Sequence, residues 1–74
     1  MVAPPEQLGI PEEERVNVKL VDEDGNIFSI LGRVRRAMRL VGQQEKFTEM
    51  HQRVMECAGY DAALGIIQEY VNPI

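Results

Sequence analysis

The chain has 74 residues, a formal net charge of −4 and a single cysteine. A chain this short forms one domain at most, and its stability is marginal because such domains bury only about 60% of their unfolded surface. The lone Cys57 excludes a disulfide within the chain and is typical of a reducing compartment, so we expect a cytoplasmic protein. No apolar stretch approaches the roughly 18 residues that cross a bilayer, and the N-terminus lacks signal-peptide features, so we expect no membrane association.

The first 15 residues contain three of the four prolines and four of the glutamates. Segments of this composition bury too little apolar surface to offset the entropy that is lost on ordering. The composition therefore predicts a disordered acidic tail over residues 1–15 and one small globular domain over residues 16–74. Within the tail, Leu8 and Ile10 are apolar, and we expect them to contact the domain loosely.

A strand is predicted at Val16–Val21, because apolar and polar residues alternate there with the period of a half-buried strand. The step Asp24-Gly25 that follows predicts a turn, since glycine adopts positive φ at no steric cost. The alternation places three apolar residues on one face: Val16, Val18 and Leu20.

The period changes to that of a helix at Ile27, which predicts a first helix from Ile27 to about Val41. Asn26 is predicted to cap its N-terminus and Gly42 to end it. Gly32 lies inside the helix, where glycine costs about 1 kcal/mol relative to alanine, so we expect another backbone to approach it closely.

An alternative makes residues 27–31 the second strand of a hairpin across the Asp24-Gly25 turn. The helix is favoured because it places most of the apolar residues of this segment on one face, whereas a strand would distribute them over both. A second helix is predicted from Gln44 to Ala58, ended by Gly59. A third is predicted from Asp61, as its N-cap, to about Val71, with Pro73 ending it.

The predicted fold is α+β, with one short N-terminal strand followed by three helices (β-α-α-α). A lone strand leaves both edges unpaired, so either the tail adds a second strand or two chains pair. The small size of the chain favours pairing of two chains, and we expect a homodimer through antiparallel pairing of Val16–Val21. The first helix is expected to be central and Cys57 to be buried. The predicted helix core comprises Ile30, Leu31, Val34, Met38, Phe47, Met50, Val54, Leu64 and Ile67.

The acidic segment Asp22–Asn26 is a candidate catalytic or metal-binding loop. It resembles the nucleophile loop of haloacid-dehalogenase-type phosphatases, but the chain is too short for that fold, and an acidic turn next to a helix N-terminus explains it better. Counted as a calcium loop from Asp22, Gly25 falls at position four and Arg33 at position twelve, where an EF-hand needs glycine at six and glutamate at twelve.

The soft metal ligands of the chain are His51 and Cys57, which are too few for a zinc site. His51 and Cys57 are six residues apart, which on a helix corresponds to a rotation of about 240°. They therefore lie on different faces and cannot form a nucleophile pair. We therefore predict no catalytic residue, no metal and no cofactor.

Four of the eight lysines and arginines form a cluster, which we call the arginine face: Arg33, Arg35, Arg36 and Arg39. On a helix these side chains spread over roughly 160° of the side opposite the apolar stripe. Such a face either contacts phosphates or is simply solvated and partly neutralised by nearby glutamates. The negative net charge and the absence of aromatic residues between the arginines weaken the nucleic-acid interpretation.

The segment Val18–Val34, with Ala37 and Arg39, resembles a set of small bacterial and phage proteins that share a Glu-Asp-Gly-Asn-x-Phe-x-Ile-Leu-Gly core. The Gly-Tyr-Asp step at residues 59–61 is similar to theirs, and the resemblance covers residues 16–71. That family has no assigned activity, so the resemblance implies a shared domain and carries over no catalytic residue. It implies importance for Gly25, Asn26 and Gly32.

These features predict a non-enzymatic interaction module that binds another macromolecule, in the first place a protein, as a homodimer. The alternative is a nucleic-acid-associated accessory protein that uses the arginine face. An apolar groove on the surface would favour a protein partner, whereas a continuous patch of arginines would favour nucleic acid.

Overall fold

The computed structural model describes residues 8–21 and 26–74. Within those residues the chain forms a short 3-10 helix, two strands and three α-helices, so the predicted α+β fold, with a strand preceding three helices, is confirmed. The elements in chain order are the 3-10 helix Glu12–Glu14, β1 (Val16–Val18), α1 (Ile27–Leu40), α2 (Gln44–Glu56), α3 (Tyr60–Ile67) and β2 (Val71–Pro73).

Both predicted ends of α1 are confirmed. The Asn26 side-chain oxygen accepts a hydrogen bond from the Phe28 amide at 2.9 Å, which satisfies one of the free donors of the first turn. At the other end Gly42 has φ +77°, and the Gly42 and Gln43 amides donate to the carbonyls of Arg39 and Met38. This is the Schellman arrangement that glycine permits. The hairpin alternative is wrong, because residues 27–31 belong to α1.

The ends of the other helices differ from the prediction. α2 ends at Glu56, two residues early, and α3 begins at Tyr60 with Gly59 at the N-cap position and no side-chain cap from Asp61. α3 also ends at Ile67 rather than near Val71. The amides of residues 69 and 70 donate three residues back, and this tight turn redirects the chain into β2.

β2 was not predicted, because its apolar residues also fit the periodicity of α3. β2 runs parallel to β1 with Val16 opposite Val71 and Val18 opposite Pro73. Pro73 lacks an amide hydrogen, and it lies at the end of this short strand, where proline is tolerated. One edge of β1 is thus paired within the chain, which removes part of the reason for expecting a strand-paired homodimer. The observed β1 is also shorter than the predicted Val16–Val21.

Part of the segment before residue 16 contacts the domain. Ile10 is buried, and its amide donates to the carbonyl of Glu69 at 2.9 Å, while the Gly9 amide donates to the Glu49 carboxylate at 3.1 Å. Residues 9 and 10 are therefore held against the domain, and the division into a tail over residues 1–15 and a domain over residues 16–74 stays a prediction. Leu8 remains largely exposed. The rest of the predicted tail, residues 1–7, and the acidic turn at residues 22–25 lie outside the described residues.

The core confirms most of the predicted inner face of the three helices. Phe47, Leu64 and Cys57 are partly buried at its margin rather than inside it. In the strand region Val18 and Leu20 are buried and the intervening polar residues are exposed, as the alternation predicts. The buried residues are Ile10, Val18, Leu20, Ile30, Leu31, Val34, Met38, Met50, Val54, Ala63, Ile67, Tyr70 and Val71.

Across residues 8–21 and 26–74, none of the helices has both the length and the apolar character that a bilayer-spanning segment requires.

Candidate functional site

A groove of about 420 Å³ lies on the surface between α1 and α2, and we call it the α1–α2 groove. The two helices are joined by three residues, so they run antiparallel, and α1 contributes about two turns to the walls and α2 about one and a half. Among the described residues the lining is mainly apolar and contains one arginine and no carboxylate. The lining residues are Phe28, Leu31, Gly32 and Arg35 from α1 and Phe47, Thr48 and His51 from α2.

Gly32 keeps this groove open. A Cβ atom placed on Gly32 would meet no heavy atom within 4 Å, so the prediction that another backbone approaches it closely is wrong. The helix periodicity places Gly32 one turn after Phe28 and one turn before Arg35. The missing side chain therefore leaves a gap between these two exposed residues. Glycine lowers the stability of a helix, and its occurrence at position 32 of α1 is explained by the gap it leaves at the surface rather than by close packing against another backbone.

The four arginines of the arginine face are all exposed, but they are not equivalent. Arg33 donates to the backbone carbonyl of Lys19 at 2.8 Å and so ties α1 to the segment after β1. Arg35 lines the α1–α2 groove. Within residues 8–21 and 26–74, no ion pair or hydrogen bond engages the side chains of Arg35, Arg36 or Arg39. As far as the described residues are concerned, these three guanidinium groups are therefore available to bind an external anion.

Phe28 lies on the same side of α1 as Arg35 and Arg39, two and three turns before them, although no aromatic residue separates the arginines in the sequence. It is 67% exposed, which is unusual for a phenylalanine at the start of an amphipathic helix. Seven and eleven residues along α1 bring Arg35 and Arg39 to within about 20° of Phe28 in projection. The spacing Phe28, Gly32, Arg35, Arg39 was readable in the sequence, but only once this segment was known to be helical.

The α2 wall continues beyond the groove. His51 is exposed and its ring lies 5.8 Å from that of Phe47, and one turn later Met55 is half exposed. Met55 belongs to a second, smaller cavity of about 260 Å³, in whose lining none of the described residues is charged. Ile27 of α1 lines that cavity, while the next residue, Phe28, lines the groove. The lining of the second cavity is Ile27, Val54, Met55, Cys57, Gly59, Tyr60 and Ala63.

A cluster of polar side chains lies elsewhere, where residues 8–10 and the start of β2 meet α2. The Tyr70 hydroxyl donates to Glu49 at 2.5 Å and accepts from Arg53 at 3.2 Å. Arg53 also bridges both carboxylate oxygens of Glu69, at 2.8 and 3.3 Å. The second oxygen of Glu49 faces Lys46 at 3.3 Å. Together with the bond from the Gly9 amide to Glu49, these bonds hold two separate parts of the chain, residue 9 and residues 69–70, against one face of α2.

The electrostatics of this cluster follow from its mutual bonds. Burial alone would raise the pKa of Glu49, but hydrogen bonds from Tyr70, Gly9 and Lys46 outweigh it and lower that pKa. Burial, followed by the bond to Glu49, raises the pKa of Tyr70. The hydrogen bonds to Glu69 and Tyr70 raise the pKa of Arg53. Tyr70 has no exposed surface, so no substrate reaches its hydroxyl, and the cluster fits a structural clamp better than a catalytic site.

The structure separates the two soft metal ligands that the sequence contains. His51 lines the α1–α2 groove, whereas Cys57 lines the second cavity and its thiol donates to the Val54 carbonyl at 3.0 Å. Among the residues that the structure describes, no three histidine, cysteine, aspartate or glutamate side chains group closely enough to hold a metal ion.

Comparison with protein-family models, with curated proteins and with solved structures finds no significant match to this chain. The functional interpretation therefore depends on the geometry of the α1–α2 groove and of the arginine face.

Proposed function

We propose that this protein is a non-enzymatic interaction module that binds another protein through the α1–α2 groove. The observation that carries this proposal is an open, mainly apolar groove whose wall includes the exposed side chains of Phe28 and Arg35. Exposed aromatic and arginine side chains are the residue types that contribute most to protein interfaces. The polar cluster around Tyr70 supports a non-enzymatic role, since its groups are engaged with one another and Tyr70 itself is buried.

Site-specific photo-cross-linking tests this proposal. A photoreactive amino acid replaces exposed Thr48 in the groove and, as a matched control, exposed Gln68 at the end of α3. Both variants are irradiated in a lysate of the native host, with and without nuclease. We expect a protein adduct at position 48 that is absent at position 68 and insensitive to nuclease. Equal labelling at the two positions, or no macromolecular adduct at position 48, would contradict the proposal.

A second candidate function, association with nucleic acid, is favoured by the free guanidinium groups of Arg35, Arg36 and Arg39 next to exposed Phe28. Clustered arginines release counterions from phosphates, and an exposed ring offers a stacking surface. Retardation of DNA or RNA at low salt, abolished by combined Arg36→Glu and Arg39→Glu, would support this function. Absence of retardation at low salt would exclude it.

Self-association is a further part of the proposal. β1 retains one edge that β2 does not occupy, so pairing of two copies through Val16–Val21 stays a prediction. Light scattering at tens of micromolar checks it, and a monomeric mass would contradict it. The resemblance to small bacterial and phage proteins and the cytoplasmic location, which is based on the lone Cys57, likewise stay predictions.

A further inference from the structure

The α1–α2 groove and the second cavity share α2 as a wall. Phe47, His51 and Met55 follow one another at steps of four residues, which is one row of an α-helix about 12 Å long. The first two residues line the groove and the third lines the smaller cavity. The opposite wall of the groove contains the α1 row Phe28, Gly32 and Arg35, and Arg39 follows Arg35 by one turn of the same row. A surface of this length matches about two turns of a third helix.

The backbone chemistry of the walls favours a helix over an added strand as the occupant. A peptide that binds by strand addition needs an exposed strand edge that supplies amide and carbonyl groups. Both walls here are α-helices, whose main-chain groups are bonded internally, and the Thr48 hydroxyl in the groove is bonded to the Gln44 carbonyl at 3.2 Å. A helix, whose backbone groups are bonded internally, suits such a groove.

The charge of the surface is uneven along its length, and this specifies the chemistry of the occupant. Arg35 lines the groove and Arg39 follows it by one turn, towards the end at which α1 turns into α2, while the described residues that line the end near Met55 and Tyr60 are uncharged. None of the carboxylates of residues 8–21 and 26–74 lines either cavity. The complementary ligand carries carboxylates at one end and apolar side chains along the rest.

We infer that the groove binds a short amphipathic helix of a partner protein, with apolar side chains at i, i+4 and i+7 and carboxylates clustered at the end that meets Arg35 and Arg39. The inference rests on the proposed function and adds the conformation, the charge and the polarity of the partner segment. Arg35 and Arg39 are exposed and have no hydrogen-bond or ion-pair partner among the described residues, and this observation favours an acidic partner.

A displayed library of random 16-residue peptides tests the inference, with the full chain as bait. We expect enriched peptides with the helical apolar spacing and with acidic residues on one side of it. The double variant Arg35→Glu plus Arg39→Glu is expected to select the same apolar spacing with lysine or arginine in place of the acids. Thr48→Arg, which blocks the groove, is expected to lower the binding of enriched peptides at least tenfold.

Several results would overturn the inference. These are enrichment no greater than with the Thr48→Arg bait, an alternating pattern of apolar residues, or the same charge preference on both the wild-type and the charge-reversed bait. A dimer in light scattering that Thr48→Arg dissociates would assign the groove to a second copy of the chain and would also overturn it. The proposed function fails separately, if the cross-linker at position 48 captures no protein.

Discussion

The hydroxyl of Tyr70 donates a hydrogen bond to the carboxylate of Glu49, which joins residues 21 positions apart and fixes the chain between α3 and β2 against α2. Tyr70 is fully buried, so its ring belongs to the core while its hydroxyl meets the polar cluster at the core margin. The pair therefore links apolar packing to the polar contacts that hold residues 9 and 10 in place.

Tyr70→Phe tests the contribution of this hydroxyl. The ring stays in the core, while Glu49 and Arg53 each lose a partner, so we expect the free energy of unfolding to fall by about 1.5–3 kcal/mol. Urea denaturation at pH 7 measures it. The control is Tyr60→Phe, because Tyr60 is 41% exposed, and a change within about 0.5 kcal/mol is expected there. Equal effects of the two substitutions would show that the bond to Glu49 contributes nothing.

The lowered pKa of Glu49 predicts how stability depends on pH. A carboxyl whose pKa is lower in the folded than in the unfolded chain stabilises the fold above its unfolded pKa, about 4.3, and loses this contribution as the pH falls towards the folded value. Glu49→Gln lacks this contribution. The difference in unfolding free energy between wild type and Glu49→Gln is therefore expected to shrink from pH 7 to pH 3. A difference that stays constant over this range would refute the assignment.

Gly9→Ala is expected to destabilise the protein. Gly9 has φ +90°, and a Cβ atom there would lie 2.8 Å from the Glu69 carbonyl oxygen. Positive φ costs a non-glycine residue roughly 1–2 kcal/mol, and the contact adds to it, so we expect a loss of about 2 kcal/mol or more. Gly65→Ala is the matched control, because Gly65 lies in α3 with open space around it, and a gain of up to about 1 kcal/mol is expected. Thermal unfolding of both variants should show shifts of opposite sign.

Gly32→Ala is expected to stabilise the fold while it weakens binding in the groove. The added methyl group improves helix propensity by about 1 kcal/mol and meets no atom of the core. It projects towards the gap between Phe28 and Arg35, where the proposed partner helix lies. Urea denaturation should show the gain, and cross-linking from position 48 should decrease. A loss of stability would contradict this prediction and would indicate a close backbone contact at Gly32.

Asn26→Ala is expected to lower the free energy of unfolding by about 1 kcal/mol, because it removes the side-chain acceptor of the Phe28 amide. Asn26→Asp retains an acceptor and places a negative charge at the N-terminus of α1, so it should preserve the stability. Urea denaturation of the two variants separates capping from any other role of this residue. Equal losses of stability in both variants would indicate that the side-chain amide nitrogen of Asn26, rather than its side-chain oxygen, stabilises the fold.

The helices were predictable because their signals are local. Asn26 and Gly42 act on backbone groups within one turn, and the apolar period of α1 requires no knowledge of the partner surface. The same reasoning placed most of the helical core. The arginine face was also identified correctly as an exposed surface, since its residues oppose the apolar stripe of α1.

By itself, then, the sequence determined the α+β class, the existence of three helices and the cap and stop of α1. Tertiary contacts decided the rest. Val71 fits a helical period but pairs with Val16, because the parallel strand β1 and the hydrogen bond from Tyr70 to Glu49 stabilise an extended conformation at the end of the chain. Ile10 belongs to the core because the Glu69 carbonyl and the Glu49 carboxylate bind the backbone beside it. The α1–α2 groove exists only where two helices meet, so no single segment of the sequence encodes it.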